Sequence, residues 1–179
     1  MNKLSGKSEL DPKIITNNLS DKMHELVDLK TVMEDTSRKQ VSALNAWIKA
    51  HSCKYLPTMV TLYHGTAKKH DILGEGIKRT KAKTKRSMQS QVGYTYLSLH
   101  PDSAKNFASI GYPLEEISVY AVEVPLYQLL PDQDQLFNAR LWKELKVVIK
   151  KTVGDSLIFG KGARLKRDIE PYEIKLVKI

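Results

Sequence analysis

The sequence holds a single cysteine, Cys53, so it forms no internal disulfide and no cysteine-built zinc site. No apolar run in it approaches the roughly 20 residues that a spanning helix needs. The opening residues, MNKLSGKSELDPK, lack the apolar stretch of a secretory leader. Together these absences set the expectation of a cytoplasmic protein without a membrane partner. Signatures of phosphate, metal and acyl chemistry are missing too: there is no G-x-x-x-x-G-K-[ST], no G-x-G-x-x-G after a strand, no H-E-x-x-H and no G-x-S-x-G. Gly74-Glu75-Gly76 and Gly160-Lys161-Gly162 read as turns. His24, His51, His70 and His100 share no ligand spacing, so no metal is expected. Cys53 has no activating neighbour in sequence and reads as an inert, buried thiol.

What is present is the composition of one folded domain with a basic bias. The chain has 179 residues, of which 41% are hydrophobic and 27% charged, enough for a real core and too apolar for global disorder. Its 29 Lys and Arg against 20 Asp and Glu give a net charge of +9, which invites a polyanion. Much of that charge lies in GIKRTKAKTKRSM, residues 76–88, where Lys78, Arg79, Lys81, Lys83, Lys85 and Arg86 meet no acid. Such a run is ordinarily a solvated loop, and it is also a ready contact for phosphates.

Hydrophobic spacing divides the chain into a helical segment, 1–56, and a domain of strands and short helices, 57–179. Met23, Leu26, Val27, Leu29 and Met33 recur at helical spacing after a Ser20 cap, within a helical stretch spanning residues 20–50. Ser37-Arg38-Lys39-Gln40 has the form of a capping box ahead of Val41, Leu44, Trp47 and Ile48, which predicts a helical hairpin or a broken helix. Strands are expected at MVTLYH (59–64), YTYLSL (94–99), ISVYAVEV (117–124), SLIF (156–159) and YEIKLVKI (172–179). Short helices fall at 69–73 and 102–109, while 138–151 fits either state. The order of elements is α+β.

Two stretches place unusual chemistry close together. In Tyr63-His64-Gly65-Thr66, a strand-end imidazole stands beside a residue with a bare backbone, suited to a sugar hydroxyl and a flat carboxamide. In Gly93-Tyr94-Thr95-Tyr96-Leu97-Ser98, Tyr96 and Ser98 share one strand face, and Phe107 follows on a helix as a second aromatic wall for a planar ring. Taken singly, each has a plainer role: a structural His, core aromatics, and at Asp132 a turn-forming Asp.

In combination and in this order, the residues resemble NAD-dependent ADP-ribosyltransferases of the diphtheria-toxin and poly(ADP-ribose) polymerase type, whose signature is His, Tyr and an acid. The resemblance spans about residues 60–179 and is closest in motif to the rifampin ADP-ribosyltransferases. It implies an ADP-ribosyltransferase-like α+β fold of split mixed or antiparallel sheets behind the N-terminal helical segment. It further implies that His64 bonds a ribose hydroxyl of NAD, that Gly65 holds the nicotinamide amide through its backbone, and that Thr66 belongs to the NAD-binding set. Tyr96 and Phe107 would sandwich the nicotinamide ring, and Ser98 would bond its amide. Tyr120-Ala121-Val122-Glu123-Val124-Pro125 leads to Leu130-Pro131-Asp132, so Asp132 matches the acid of the rifampin type. Asp134, Glu123, Glu170 and Glu173 remain open for that role.

The function so implied is cleavage of NAD, a co-substrate, at the nicotinamide–ribose bond and transfer of ADP-ribose to a macromolecule. RNA or DNA is the expected acceptor, because the basic tract exceeds what two phosphates of NAD require. The expected setting is a bacterial or phage toxin or defence effector, with a cognate antitoxin or inhibitor as a further partner. The alternatives are transfer to a protein or a small molecule of the rifampin kind, and an inactive relative that binds nucleic acid through the tract. An RNA 2′-phosphotransferase, a relative of the same fold, calls for several active-site arginines that find no match.

Overall fold

A computed structural model describes residues 34–81, 90–138 and 149–177. Six strands form one antiparallel sheet: β1 (Met59–Ala67), β2 (Thr95–Ser98), β3 (Ile117–Pro125), β4 (Leu130–Pro131), β5 (Gly162–Leu165) and β6 (Ile174–Val177), in the spatial order β4-β5-β2-β1-β3-β6. Among the described residues the α-helices are α1 (Glu34–His51), α2 (Ile72–Glu75), α3 (Pro101–Ser109), α4 (Gln133–Asn138) and α5 (Val153–Phe159). The α+β expectation therefore holds. Instead of separate sheets there is one, although its centre is thinly joined. β1 pairs with β3 along its whole length, from Met59 opposite Pro125 to Ala67 opposite Ile117, whereas β1 and β2 pair at one position, Tyr63 opposite Ser98.

Alternation along the strands buries both faces. Val60, Leu62, Leu97, Val122, Val124, Ala163 and Leu165 point into the main core, which they share with Val41 and Leu44 of α1 and Leu157 and Ile158 of α5. The segment before residue 57 is thus part of the same core where it is described. On the other face Ala104 and Ala108, one helical turn apart on α3, pack on Ile117 and Val119. Small residues on α3 let it lie close to the sheet. A Cβ on Gly65 would come within 2.2 Å of the Ala104 carbonyl oxygen. Glycine at that position is a packing requirement in its own right.

Polar contacts clamp α1 to α5. Thr152 and Asp155 form a capping box at the start of α5, and Arg38 donates to the other oxygen of the buried Asp155 at 3.1 Å. Asn45 accepts from the Gly154 N–H at 3.0 Å and donates to Thr152 Oγ1 at 2.9 Å. SLIF is therefore the end of a helix rather than a strand, because the cap at Thr152 and Gly160 at its far end bracket a short apolar run. Ser37 lies within the first turn of α1, and no second helix starts there. The earlier half of the expected helical stretch, with His24, lies outside the described residues, as do residues 139–148 of the ambiguous segment. Among the described residues no helix is long and apolar enough to cross a membrane, and no group of three or more His, Cys, Asp or Glu is placed to hold a metal. Cys53 is exposed, not buried, since it follows the last turn of α1 rather than entering the core.

Candidate active site

The site begins where β1 and β2 part. Continuing the register past Tyr63 and Ser98 would set Gly65 opposite Tyr96, yet no such pair forms. In its place the His64 ring bridges the gap, with Nδ1 3.0 Å from the Tyr96 carbonyl oxygen. A carbonyl only accepts, so Nδ1 carries the proton of this bond. Burial, its largest influence, lowers the His64 pKa despite the opposing bond to Tyr96, which keeps the ring neutral and leaves Nε2 as an acceptor. That atom suits a hydroxyl donor.

A cleft of about 280 Å³ opens at this parting. His64, Gly65, Thr66, Tyr96, Ser98, Phe107 and Asp132, which come from four separate stretches of the sequence, all line it. Tyr63, Ser90, Tyr112, Asp134 and Gln135 line it as well. Tyr96 and Ser98 reach it from one face of β2, and Phe107 from α3, which the Gly65 contact holds against the sheet.

Its two carboxylates differ in surroundings. Asp132 is 4% exposed and caps α4, its Oδ1 accepting from the N–H groups of Asp134 and Gln135, both at 3.1 Å. Its own N–H donates to Ser156 Oγ, which in turn donates to the Gly162 carbonyl, so α5 and β5 fix its position. Oδ2 is turned toward Gly162, 3.9 Å from where a Cβ would stand. Burial pushes the Asp132 carboxyl up to about 6 against the pull of the Gln135 N–H. Asp134 Oδ2 accepts from the Tyr96 hydroxyl in a short hydrogen bond and from the Gln91 N–H at 3.0 Å. Burial first, and then the Asp134 carboxylate, raise the Tyr96 pKa, so the phenol stays protonated and donates.

A second layer supports this pair. Arg164 lies opposite Tyr96 on β5, is 4% exposed, and donates to Gln91 Oε1 at 2.8 Å. Its guanidinium sits 4.0 Å from the Tyr94 ring centroid. Sequence reading passed over Arg164, Gln91 and Ser156, since single polar residues in a strand, a loop and an apolar-looking run carry no motif.

The other acid candidates lie elsewhere. Glu123 is exposed on β3 and pairs with Lys175 at 3.2 Å. Glu173 grips Arg167 through both oxygens, which holds its carboxyl below the usual range against the upward push of burial. Glu170 lines the same second depression as Glu173, Arg167 and Arg79, apart from the cleft. Of the basic tract, Lys78 and Lys81 are exposed and line none of the described cavities, while Arg79 bonds Asp168 at 3.0 Å. Lys83, Lys85 and Arg86 lie outside the described residues. The chain re-enters the description at Ser90, on the wall of the cleft.

No protein-family model matches the chain, and neither a curated protein nor a solved structure gives a significant match.

Proposed function

We propose that this protein is an NAD-dependent ADP-ribosyltransferase whose cleft between β1 and β2 binds the nicotinamide end of NAD. The observation that carries the reading is the His64 bridge. A neutral imidazole, fixed by Tyr96, lines a cleft together with Tyr96, Phe107, Ser98, Asp132 and Asp134. An antiparallel sheet that nearly separates at its centre is compatible with the same assignment.

Each residue has a task in that chemistry. His64 Nε2 accepts a ribose hydroxyl, and Tyr96 and Phe107 offer ring faces to the nicotinamide. Gly65, Thr66 and Ser98 supply the polar contacts for the carboxamide. Nicotinamide leaves as a neutral molecule, taking the electron pair of the C1′–N bond, and positive charge develops on the ribose. A carboxylate set in a low-dielectric wall stabilises that charge. Asp132 fits this task best, being a residue of the cleft wall that is mostly ionised at pH 7, while Asp134 is engaged with Tyr96 and Gln91. The same carboxylate takes the proton of the incoming nucleophile as its bond to C1′ forms. Water as nucleophile gives hydrolysis, and a nucleic acid gives ADP-ribosylation.

Incubation with NAD labelled in the nicotinamide ring tests the reading. Release of free nicotinamide by the wild type, and its loss by about tenfold or more in His64→Ala, is the expected result. Equal release from both proteins refutes the assignment.

A further inference from the structure

A further hollow adjoins the cleft, lined by Ser103, Asn106, Phe107, Gln135, Phe159, Gly160 and Lys161. Phe107 and Gln135 line both cavities, so a group seated in the hollow lies just across these two side chains from the cleft. We infer that this hollow is the acceptor subsite and that it takes one unstacked nucleobase, with its phosphate, from a single-stranded nucleic acid. The inference rests on the reading of the cleft as an NAD site and names the substrate that meets it.

The lining matches that ligand on each count. Asn106 and Gln135 each offer a paired donor and acceptor, the pattern that reads the edge of a base. Phe107, half-buried, is the ring the wall offers, and base faces stack on such rings without regard to sequence, whereas Phe159 is buried in the main core with the Arg38 guanidinium over its ring. Among the described residues Lys161 is the one charged residue lining the hollow, and a single ammonium beside hydroxyl and amide groups suits a phosphate. Among the described residues no carboxylate lines it, in contrast to the depression around Arg167, where Asp168, Glu170 and Glu173 stand among the cations. The volume, about 280 Å³, sits at the small end for ligand pockets and suits one ring system rather than a folded surface.

Lys161 is also held in place before any ligand arrives. Its φ is +55°, a conformation that L residues seldom adopt, and its carbonyl accepts from the Leu99 N–H at 2.8 Å. The turn therefore presents the side chain from a fixed base beside β5. Reading an edge and a face of the same base requires that base to be out of its stack, which favours a single strand over a duplex. In the transfer, the C1′–N bond of NAD breaks with its pair going to nicotinamide. A nucleophilic nitrogen or oxygen of the seated base bonds to C1′, and its proton passes to the cleft carboxylate.

Lys161→Gly is the direct test, because glycine is at home at that φ, so the cation is lost without strain on the turn. Asn106→Leu serves as a second variant that leaves the turn intact. Three readouts are needed: nicotinamide release without acceptor, anisotropy of a labelled single-stranded RNA or DNA oligonucleotide, and transfer of labelled ADP-ribose to it. We expect unchanged nicotinamide release, with oligonucleotide binding and transfer weakened about tenfold in Lys161→Gly and weakened also in Asn106→Leu. Oligonucleotide binding and transfer at wild-type levels in both variants overturns the subsite, as does label that enters only protein or a small molecule. A wild type that releases no nicotinamide but binds the oligonucleotide through Lys161 would overturn the NAD reading and leave the binding site standing.

Discussion

The hydroxyl of Tyr96 on β2 donates to the carboxylate of Asp134 on α4, and the Gln91 N–H donates to both. Tyr96 thus does two things at once: its ring walls the cleft and its hydroxyl ties β2 to α4. Tyr96→Phe separates the two, keeping the wall and cutting the tie. Nicotinamide release should fall severalfold in Tyr96→Phe and about tenfold or more in Tyr96→Ala. Equal losses in the two variants would assign the whole effect to the hydroxyl.

Asp132 should impose an acid limb on activity. Its carboxyl titrates at about 6 when folded and near 3.8 otherwise, so the folded protein holds the proton more tightly and loses stability as pH rises between those values. The span corresponds to a cost on the order of 3 kcal/mol above pH 6. Asp132→Asn keeps an oxygen to cap α4 and removes the ionisation, so its Tm at pH 7.5 should equal or exceed that of the wild type. Wild-type kcat/KM should rise through an apparent pKa near 6. That limb should be missing from the much weaker activity of Asp132→Asn. His64 acts in the opposite sense: burial lowers its pKa, so it adds stability above about 6.5 that is lost as pH falls.

Gly65→Ala should damage the fold before it damages chemistry. The added methyl meets the Ala104 carbonyl, which is backbone and cannot rotate aside. Separation of α3 from β1 should cost about 1–3 kcal/mol, seen as a lower Tm, and should move Phe107 away from the cleft. A variant with wild-type Tm would show that α3 yields easily.

Asp155→Ala removes the partner of Arg38 and half of the capping box on α5. It should cost about 3–5 kcal/mol by urea denaturation, because a charge is left unpaired at a mostly buried contact. Nicotinamide release measured below the lowered Tm should change little, since Asp155 does not line the cleft.

The strands that alternate were legible from the amino-acid order: residues 59–64, 94–99 and 117–124 are the heart of β1, β2 and β3. Period-2 burial leaves a mark that survives without tertiary knowledge. The short apolar run ending at Phe159 did not, because four apolar residues suit either state and the decision lies with Thr152 and Asp155 outside it. β5 hid behind the glycines of its turn, and the one-turn α2 begins at Ile72, later than the spacing suggested. In the site, the ordered set from His64 to Asp132 was visible as residue types at suggestive intervals, and the fold brings all of it to one cleft. The support from Ser156, Gln91 and Arg164 was not visible, because such contacts depend on register between strands distant in sequence.

The lone rung between Tyr63 and Ser98 makes the sheet resemble two leaves bound by a single stitch. Each leaf keeps its own ladder, β4-β5-β2 on one side and β1-β3-β6 on the other. A change in the length of one ladder therefore leaves the pairing within the other intact. The width of the cleft at the parting is thus set by how two separate ladders are packed, not by a continuous run of rungs across it.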